Sequence, residues 1–347
     1  MLLQRLSDAR GVSGKEDAVR EIILDEIRTH VDEYRVDNIG NLIATVHASG
    51  GTEKPHRVMV DAHMDEVGLM ITQVDKNGML RFRPVGGIDP RVLPAKRVLI
   101  GQDAIPGVIG IKAVHLVTRE EAEKVIKFDQ LYIDIGAKKK EEAQEVIRLG
   151  DVASFVTQSR LLGRTVMGKA FDDRVGCAVL AELVKERYPI ELVAVFSVQE
   201  EVGTRGARVA AYDIEPEVAI ALEGTICDDL PRKEDVTPVT QMGHGPAITK
   251  MDRSLVCDRR LVDLLVRVAT EIEIPYQFKA PGLGGTDAGA IHLVREGVPA
   301  VAVSVPARYI HTPVSFISLD DFENAVKLMK EALRRLDAEF PWGERMQ

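Results

Sequence analysis

The 347-residue chain is poor in cysteine and tryptophan, with three cysteines and one tryptophan. It also lacks an excess of positive charge, because 45 Lys and Arg residues against 54 Asp and Glu residues leave a net charge of −9. That balance, together with the lack of a basic stripe interleaved with aromatic residues, argues against a general nucleic-acid binder. No apolar run approaches the length of about 18 residues that suggests a membrane-spanning helix, so we predict no membrane partner.

The three cysteines, Cys177, Cys227 and Cys257, are odd in number, widely spaced and set among apolar residues. This pattern predicts free, buried thiols in a reducing compartment. The amino-terminal stretch MLLQRLSDARGVSGKED reaches charged residues too early for a secretory signal peptide. We therefore expect a cytoplasmic protein.

The hydrophobic pattern predicts an α/β protein that carries one insertion. Apolar content of 45% with 29% charged residues is ordinary for a globular protein, and the length allows two domains. Continuous apolar strands alternate with helices in 1–67 and again in 163–347, which indicates a mostly parallel central sheet flanked by helices. Between them, 68–162 has short Val/Ile-rich runs broken by turn sequences, which is typical of a small β-rich domain.

Local signals mark several elements of the α/β part. Ser13 and Glu16 form a capping-box pattern, which predicts that a helix begins there and continues through DAVREIILDEIRTH. Strands are predicted at 192–198 and 218–222, and a helix at 174–187. In such a sheet, functional side chains collect at the carboxyl ends of the strands.

Five strand ends or adjacent loops carry side chains of the types that bind metals. Taken singly, each has an ordinary explanation, such as a hydrogen-bonded histidine, a helix N-cap or a solvated loop carboxylate. As a set, carboxylates crowded at one sheet edge would repel one another and would be costly to desolvate unless divalent cations were bound. The candidates are His63 and Asp65 in VMVDAHMD, Asp172 and Asp173 in GKAFDDR, Glu200 and Glu201 in FSVQEE, Glu223 in ALEGT, and His311 in YIHTP.

The candidate ligands also favour some metals and some chemistry. Two imidazoles with several carboxylates and no thiolate suit zinc, manganese or cobalt better than a closed structural zinc site. Paired metals about 3.5–4 Å apart need a bridging carboxylate and are typical of hydrolases that act on peptides or phosphate esters. Neighbouring strand residues point to opposite sides, so Glu200 and Glu201 are not expected to bind one metal together. One can bind metal while the other acts as general base.

The chain resembles the tetrahedral aminopeptidases. The resemblance is carried by six motifs in the same order along the chain: DAHMDEVG, GKAFDDRVG, SVQEEVGTRGA, ALEGT, GLGGTDAGAIHLVREGVP and YIHTP. This family contains glutamyl and deblocking aminopeptidases with two metal ions, and some members are labelled endoglucanase or cellulase. The resemblance covers essentially the whole chain. It implies that the protein removes N-terminal residues from short peptides with two divalent metal ions, of which zinc is expected first and cobalt or manganese are alternatives. It also implies that the β-rich insert forms dimers and that the chains assemble into dodecamers. It does not indicate which N-terminal residue is preferred.

The resemblance further implies that five side chains bind two metals, with Asp172 shared between them: His63 and Glu223 on one metal, Glu201 and His311 on the other. Glu200 would be the general base, and Asp65 would orient His63. Whether Asp172 or Asp173 bridges the metals stays open at this point.

Two further features concern the edges of the implied site. Thr286 and Asp287, in GGTDAG, are predicted to shape the substrate pocket, with a plain helix start capped by these residues as the alternative. Many members of the family have aspartate where this chain has Glu223. The longer side chain remains an oxygen ligand, so we expect it to keep its role while its effect on metal spacing stays open.

A glycosidase that uses a pair of carboxylates is the alternative enzyme. Glu200 or Glu201 with a distant acid would serve such a reaction. However, a glycosidase needs neither the two histidines nor a bridging aspartate, and sugar sites usually present aromatic platforms. The single tryptophan, Trp342, lies near the carboxyl terminus.

A nucleotide-binding protein is the second alternative. The stretch GRTVMGKA, residues 163–170, nearly fits the phosphate loop G-x-x-x-x-G-K-[ST]. Its last position is Ala170, which lacks the hydroxyl that would hold magnesium. The acidic FDDR that follows would repel phosphate, so the sequence disfavours this function.

Overall fold

The structure is a computed structural model that describes residues 1–50, 54–231 and 237–343. The helices are α1 (Leu2–Asp8), α2 (Asp17–Ile27), α3 (Arg119–Ala122), α4 (Lys140–Val146), α5 (Phe171–Leu183), α6 (Arg205–Ile214), α7 (Arg259–Glu271), α8 (Asp287–Ile291) and α9 (Leu319–Glu339). The strands are β1 (Glu33–Val36), β2 (Leu42–Val46), β3 (Arg57–His63), β4 (Gly68–Val74), β5 (Leu80–Val85), β6 (Arg97–Ile100), β7 (Ile105–Gly110), β8 (Tyr132–Asp134), β9 (Val152–Phe155), β10 (Arg160–Leu162), β11 (Thr165–Gly168), β12 (Glu191–Ser197), β13 (Val218–Cys227), β14 (Ala247–Ile248), β15 (Gln277–Phe278), β16 (Ala300–Arg308) and β17 (Ser315–Ser318).

The larger sheet has eleven strands, nine of them in the order β1-β2-β12-β3-β13-β16-β17-β11-β10. Its centre is parallel, since β3 pairs in parallel with β12 and β13, and β13 pairs in parallel with β16. Helices α1, α2, α5, α7 and α9 form one packed group, and α6 packs with α8. The central strands are nearly continuous apolar runs because helices cover them. The predicted α/β class, with its mostly parallel sheet flanked by helices, is confirmed.

Strands β4 to β9 form a second, smaller sheet that closes into a barrel in the order β4-β5-β8-β7-β6-β9. Neighbouring strands in it are antiparallel, and its buried apolar side chains form a cluster separate from the main core. The predicted small β-rich insert is therefore present. The boundaries 68 and 162 stay a prediction, and β10, which lies inside them, pairs with β11 of the larger sheet.

The predicted capping box is wrong. Helix α2 begins at Asp17, and Glu16, which occupies the N-cap position, makes no side-chain cap hydrogen bond. Instead, Glu16 Oε1 accepts hydrogen bonds from Gly14 N at 2.6 Å and from Gln199 N at 3.2 Å. Ser13 Oγ donates its hydrogen bond to Asp65 Oδ2, at 2.6 Å. These two side chains meet the loops that follow β3 and β12, where the candidate site lies.

The stretch resembling a phosphate loop, 163–170, has another structure. It forms the turn between β10 and β11 and then β11 itself. Lys169, which would hold the phosphates, is buried, and its Nζ lies 2.7 Å from each carboxylate oxygen of Glu66. An ammonium held in that way is not available to a nucleotide, so this alternative is wrong.

Other sequence-based expectations concern cysteine and membranes. The three cysteines are buried and free, as predicted. Among the described residues, no helix has both the length and the apolar character needed to cross a bilayer.

Candidate active site

Five predicted ligands come together where the central strands end. His63 is the last residue of β3, and the register of β12 places Ser197 beside it. Ligand atoms of His63, Asp172 and Glu223 lie within 4.8 Å of one another. Asp172 forms a second group of the same kind with Glu201 and His311. The fold therefore brings these five side chains into two groups that share one carboxylate.

Asp172 faces both histidines. Its Oδ1 lies 3.3 Å from His63 Nε2, and its Oδ2 lies 3.4 Å from His311 Nε2. The neighbouring Asp173 is fully buried. Its two carboxylate oxygens accept hydrogen bonds from main-chain N–H groups, that of His63 at 3.1 Å and that of Gly176 at 2.9 Å. The peptide bond between the two aspartates is cis. Asp172 thus presents its oxygens to the site, and Asp173 holds the backbone.

The two adjacent glutamates lie in a turn, not on a strand. Strand β12 ends at Ser197, and Gln199 has a φ of 59°, which takes the chain out of the extended conformation. Glu200 Oε2 lies 3.8 Å from His63 Nε2, whereas Glu201 Oε1 lies 3.4 Å from His311 Nε2. The expected alternation of side chains along a strand therefore does not apply here. The turn nevertheless directs the two carboxylates to different histidines.

Asp65 connects four groups of the site. It is fully buried, and its Oδ1 accepts a hydrogen bond from Glu200 N at 2.9 Å and lies 3.4 Å from His63 Nδ1. Its Oδ2 accepts from Glu201 N at 3.2 Å and from Ser13 Oγ at 2.6 Å. One carboxylate therefore touches the histidine and both glutamate amides. The pattern that suggested a helix cap at Ser13 concealed its contact with Asp65, because that contact joins residues distant in sequence.

Glu223 lies within β13, which continues to Cys227 instead of ending at residue 222 as predicted. Its Oε1 accepts a hydrogen bond from Asp287 N at 3.1 Å, and its Oε2 lies 3.8 Å from His63 Nε2. The longer strand explains why Glu223 is 5% exposed, whereas a loop glutamate would be solvated. Its placement on the sheet and the amide of Asp287 together direct one oxygen toward the histidine.

Thr286 and Asp287 occupy different surroundings. Thr286 lines the cleft described below, and its Oγ1 donates a hydrogen bond to Asp252 Oδ2 at 3.2 Å. Asp287 is buried beneath the cleft, where its Oδ2 accepts a hydrogen bond from Ser197 Oγ at 2.8 Å. The same hydroxyl lies 3.2 Å from Asp61 Oδ2. Of the predicted pair, only Thr286 faces the cleft.

The sequence analysis missed Asp61, a charged residue in the interior of β3. Burial, followed by the adjacent Asp287, raises the pKa of Asp61 well above its ordinary value, and burial also raises the pKa of Asp287. Two facing carboxyl groups under a sheet edge favour a shared proton. An aspartate inside an apolar strand, VMVDAH, was the available signal.

The charges in the cluster do not balance. Burial raises the pKa values of Glu200 and Glu223 well above the usual range, and that of Glu201 to about 7. Burial opposes protonation of the histidines, but neighbouring carboxylates, with Asp172 first, raise the pKa of His63 well above its ordinary value and that of His311 to about 9. Two imidazoles cannot neutralise this many carboxylates. Divalent cations would supply the missing positive charge, so these residues fit metal ions.

His311 is oriented by the inserted barrel. Its Nδ1 lies 2.8 Å from the carbonyl oxygen of Gly87, which follows β5. In the neutral ring, which is the form that binds a metal, a Nδ1 that donates to this carbonyl leaves Nε2 with its lone pair facing Asp172 and Glu201. Nε2 is thus the nitrogen available to a metal.

A cleft of about 690 Å³ opens beside the cluster. Its walls include the carboxylates of Glu200, Glu201 and Glu223 on one side, and Lys279 and Thr286 elsewhere. This volume is in the range of small-ligand sites and can admit the end of a peptide.

The chain is similar to known proteins in both sequence and fold. A protein of Acetivibrio thermocellus that is provisionally named an aminopeptidase is 43% identical to this chain over 334 residues. The match covers 96% of this chain and 97% of that protein. The lysyl aminopeptidase of Pyrococcus furiosus is 35% identical, with 96% of both chains covered.

Several solved structures have the same fold as this chain. Aminopeptidase APDkam598 of Desulfurococcus kamchatkensis superposes with a TM-score of 0.91 at 38% identity, covering 96% of this chain and 94% of its own. Pyrococcus horikoshii TET1 peptidase, described as able to assemble into a tetrahedron or a large octahedral shell, gives 0.84 at 36%, covering 96% and 98%. A Thermotoga maritima protein described as an endoglucanase gives 0.79 at 36%, with 96% of both chains covered. The M42 glutamyl aminopeptidase family matches residues 40–328, and the chain belongs to that family.

Proposed function

We propose that this protein is an aminopeptidase that uses two divalent metal ions to remove N-terminal residues from short peptides. The observation that carries the proposal is Asp172, whose two oxygens lie 3.3 and 3.4 Å from two different histidines. A carboxylate between two nitrogen donors, each accompanied by a further glutamate, suits a bridge between two metals. Zinc fits best, and cobalt or manganese are the alternatives.

The proposed ligand sets follow the two groups of side chains. One metal would be held by His63, Asp172 and Glu223, and the other by Asp172, Glu201 and His311. The donors are nitrogen and carboxylate oxygen, with no thiolate among them, which is the pattern of catalytic and not of closed structural zinc sites. Asp173 is not assigned as the bridge, because both of its oxygens accept main-chain hydrogen bonds.

Glu200 is the proposed general base. Bound metals would lower the pKa of a water molecule and stabilise negative charge on the scissile carbonyl oxygen. Glu200 takes the proton from the attacking water and returns it to the nitrogen of the leaving peptide. Burial raises the pKa of Glu200, which makes its carboxylate a stronger base than an exposed glutamate. Asp65, which accepts from Glu200 N, holds that turn in place and orients His63.

The proposal extends to substrate size, assembly and location. The relative described as a tetrahedral or octahedral shell suggests that this chain also assembles, as dimers through the β4–β9 barrel and then as dodecamers. An active site enclosed in such a shell would admit short peptides. We propose that the assembled enzyme acts in the cytoplasm.

The endoglucanase function is not favoured. The residues that line the cleft include no Trp, Tyr or Phe within the described ranges, whereas sugar sites generally use aromatic surfaces. The crowding of two histidines among the carboxylates also has no use in hydrolysis by a carboxylate pair.

Hydrolysis of a panel of aminoacyl-anilides tests the proposal, with carboxymethylcellulose as a parallel substrate. We expect anilide hydrolysis that a chelator abolishes and that zinc, cobalt or manganese restores. Glu200→Gln should lower kcat by about 10²-fold or more while metal content stays unchanged. Turnover that resists the chelator, full activity in Glu200→Gln, or activity on cellulose alone would overturn the proposal.

A further inference from the structure

Lys169 is a buried lysine three residues before Asp172, and the proposed mechanism gives it no role. Its Nζ lies 2.7 Å from each carboxylate oxygen of Glu66 and donates to the carbonyl oxygen of Ala9 at 2.7 Å. A buried ion pair of this kind can often be replaced by apolar residues at no cost in stability. Stability alone therefore gives little reason for a lysine at this position.

The main chain of Lys169 is held by helix α1. Ser7 Oγ donates a hydrogen bond to the carbonyl oxygen of Lys169 at 2.8 Å and accepts one from its N–H group at 3.1 Å. The two segments are in close contact, since a Cβ added to Gly168 would lie 2.4 Å from Ser7 Oγ. Ala170, which follows, has a φ of 54°, so the chain turns sharply there. The residues that lead into Asp172 are thus fixed against α1.

Arg174 follows the aspartate pair and makes a similar connection. It is fully buried, its Nε donates to the carbonyl oxygen of Met64 at 2.8 Å, and its Nη1 donates to that of Leu6. Its Nη2 lies 3.7 Å from Glu66 Oε1, which also accepts a hydrogen bond from Gly11 N at 3.0 Å. The amino-terminal segment therefore contacts the residues on both sides of the aspartate pair.

These contacts lie directly beside the candidate active site. Glu66, Lys169, Asp172 and Glu201 line the same small cavity. Asp172 is crowded by other carboxylates, and like charges at this distance repel one another. A restraint on the main chain before Asp172 opposes that repulsion and keeps its two oxygens 3.3 and 3.4 Å from the two histidines.

We propose that Ser7 and Lys169 are positioning residues that hold Asp172 in place for metal binding, so that helix α1 helps to set the metal affinity of the site. The inference rests on the proposed two-metal function and adds residues that act through the bridging carboxylate. Ser7 and Lys169 are separated by 162 residues in sequence, so no local motif reveals their contact. Loss of contacts that support a metal ligand typically lowers metal affinity or activity by about 10- to 100-fold.

The experiment measures zinc affinity by competition with a chelator and records the visible absorption spectrum of the cobalt-loaded protein. We expect Lys169→Met to lower zinc affinity by about 10- to 100-fold and Ser7→Ala to lower it by about tenfold. The cobalt absorption bands should change in position or intensity in both variants, because the spectrum reports the geometry of the ligands. Ser7→Ala is the milder change and decides the question if Lys169→Met does not fold.

Two variants serve as matched controls. Ser159→Ala removes another hydroxyl that contacts α1, since Ser159 Oγ lies 3.5 Å from the carbonyl oxygen of Gln4. Lys185→Met removes another paired lysine of the same domain, whose Nζ lies 2.7 Å from Glu182 Oε1 and 3.0 Å from Glu26 Oε1. Neither hydroxyl nor ammonium is bonded to the segment before the bridging aspartate. Both controls should keep the zinc affinity and the cobalt spectrum of the wild type.

A double variant separates positioning from stability. Lys169→Met alone leaves the buried Glu66 without its ammonium partner, so it should lower the free energy of unfolding in urea. Glu66→Gln combined with Lys169→Met removes both charges and should recover much of that loss. We expect zinc affinity to stay low in the double variant. Recovery of zinc affinity together with stability would show that the lysine has only a structural role, and would overturn the proposal.

The outcomes distinguish this inference from the proposed function. A wild-type protein that binds neither zinc nor cobalt would overturn the proposed function itself. Two bound metals in the wild type, with the same affinity and cobalt spectrum in Ser7→Ala and Lys169→Met, would overturn only the positioning role. Equal losses in the control variants would overturn it as well. Circular dichroism of each variant shows whether the fold is intact.

Discussion

Ser13 Oγ lies 2.6 Å from Asp65 Oδ2, and this hydrogen bond joins the amino-terminal segment to the candidate active site. Asp65 also accepts hydrogen bonds from the amides of Glu200 and Glu201. A hydroxyl that was predicted to cap a helix therefore helps to fix the carboxylate that holds the turn carrying Glu200 and Glu201.

Ser13→Ala should lower activity without removing metal. Loss of a hydrogen bond to a buried carboxylate costs about 1–3 kcal/mol, and part of that cost should appear as a kcat lowered by about 3- to 30-fold. Anilide kinetics and metal analysis on the same preparation measure the effect. The exposed Ser49, changed to alanine, serves as control. Equal kcat in Ser13→Ala and Ser49→Ala would contradict the role given to this contact.

The two adjacent aspartates should respond differently to substitution. Asp172→Asn removes the shared carboxylate, so we expect bound metal to fall from two ions per chain to one or fewer. Asp173→Asn removes charge from a group bonded to main-chain amides, so it should mainly lower the free energy of unfolding. Metal content by mass spectrometry and urea unfolding distinguish them. The reverse pattern would assign the bridge to Asp173.

Glu16 predicts a pH dependence of stability. Burial, followed by backbone hydrogen bonds that lower it and the nearby Asp65 that raises it, shifts the pKa of Glu16 from 4.5 to about 7. A raised carboxyl pKa means that the contribution of Glu16 to stability is fully present below about 4.5 and is lost as the pH rises through about 7. Glu16→Gln should therefore gain stability relative to wild type by up to about 3 kcal/mol between pH 4.5 and pH 8.

Urea unfolding of wild type, Glu16→Gln and the exposed control Glu21→Gln at both pH values measures this difference. The glutamine keeps an acceptor oxygen for Gly14 N and Gln199 N, so the hydrogen bonds are retained. A stability gap between wild type and Glu16→Gln that does not change with pH would show that Glu16 is not titrating in this range.

Metal removal should destabilise the protein. Ions that bind only the folded chain raise its free energy of unfolding by about 2.7 kcal/mol when their free concentration is about 100 times Kd. Chelation should therefore lower Tm by several degrees, and added zinc should restore it. The same titration with Asp172→Asn should produce a much smaller shift. A Tm that is identical with and without chelator in the wild type would argue against resident metals.

The fold class, and the fact that the candidate ligands come together, could be predicted from the sequence, because buried parallel strands have continuous apolar runs and functional groups lie at their carboxyl ends. That logic located His63 and the two glutamates. It could not place Glu200 and Glu201 in a turn, since the left-handed conformation of Gln199 depends on what the turn contacts. It also missed Ser13 and Glu16 as supports of the site, because their partners lie 52 and 183 residues away in sequence.

The carbonyl of Gly87 that faces His311 Nδ1 belongs to the segment following β5 of the barrel. In the proposed metal site, the ring that would offer Nε2 to a metal therefore takes its tautomer from a barrel whose buried apolar cluster is separate from the main core. If the barrel is the dimerisation module, as proposed, its exchange between relatives would also change one hydrogen bond at the candidate active site. Under that proposal, a change of the barrel that alters assembly would also alter the surroundings of His311.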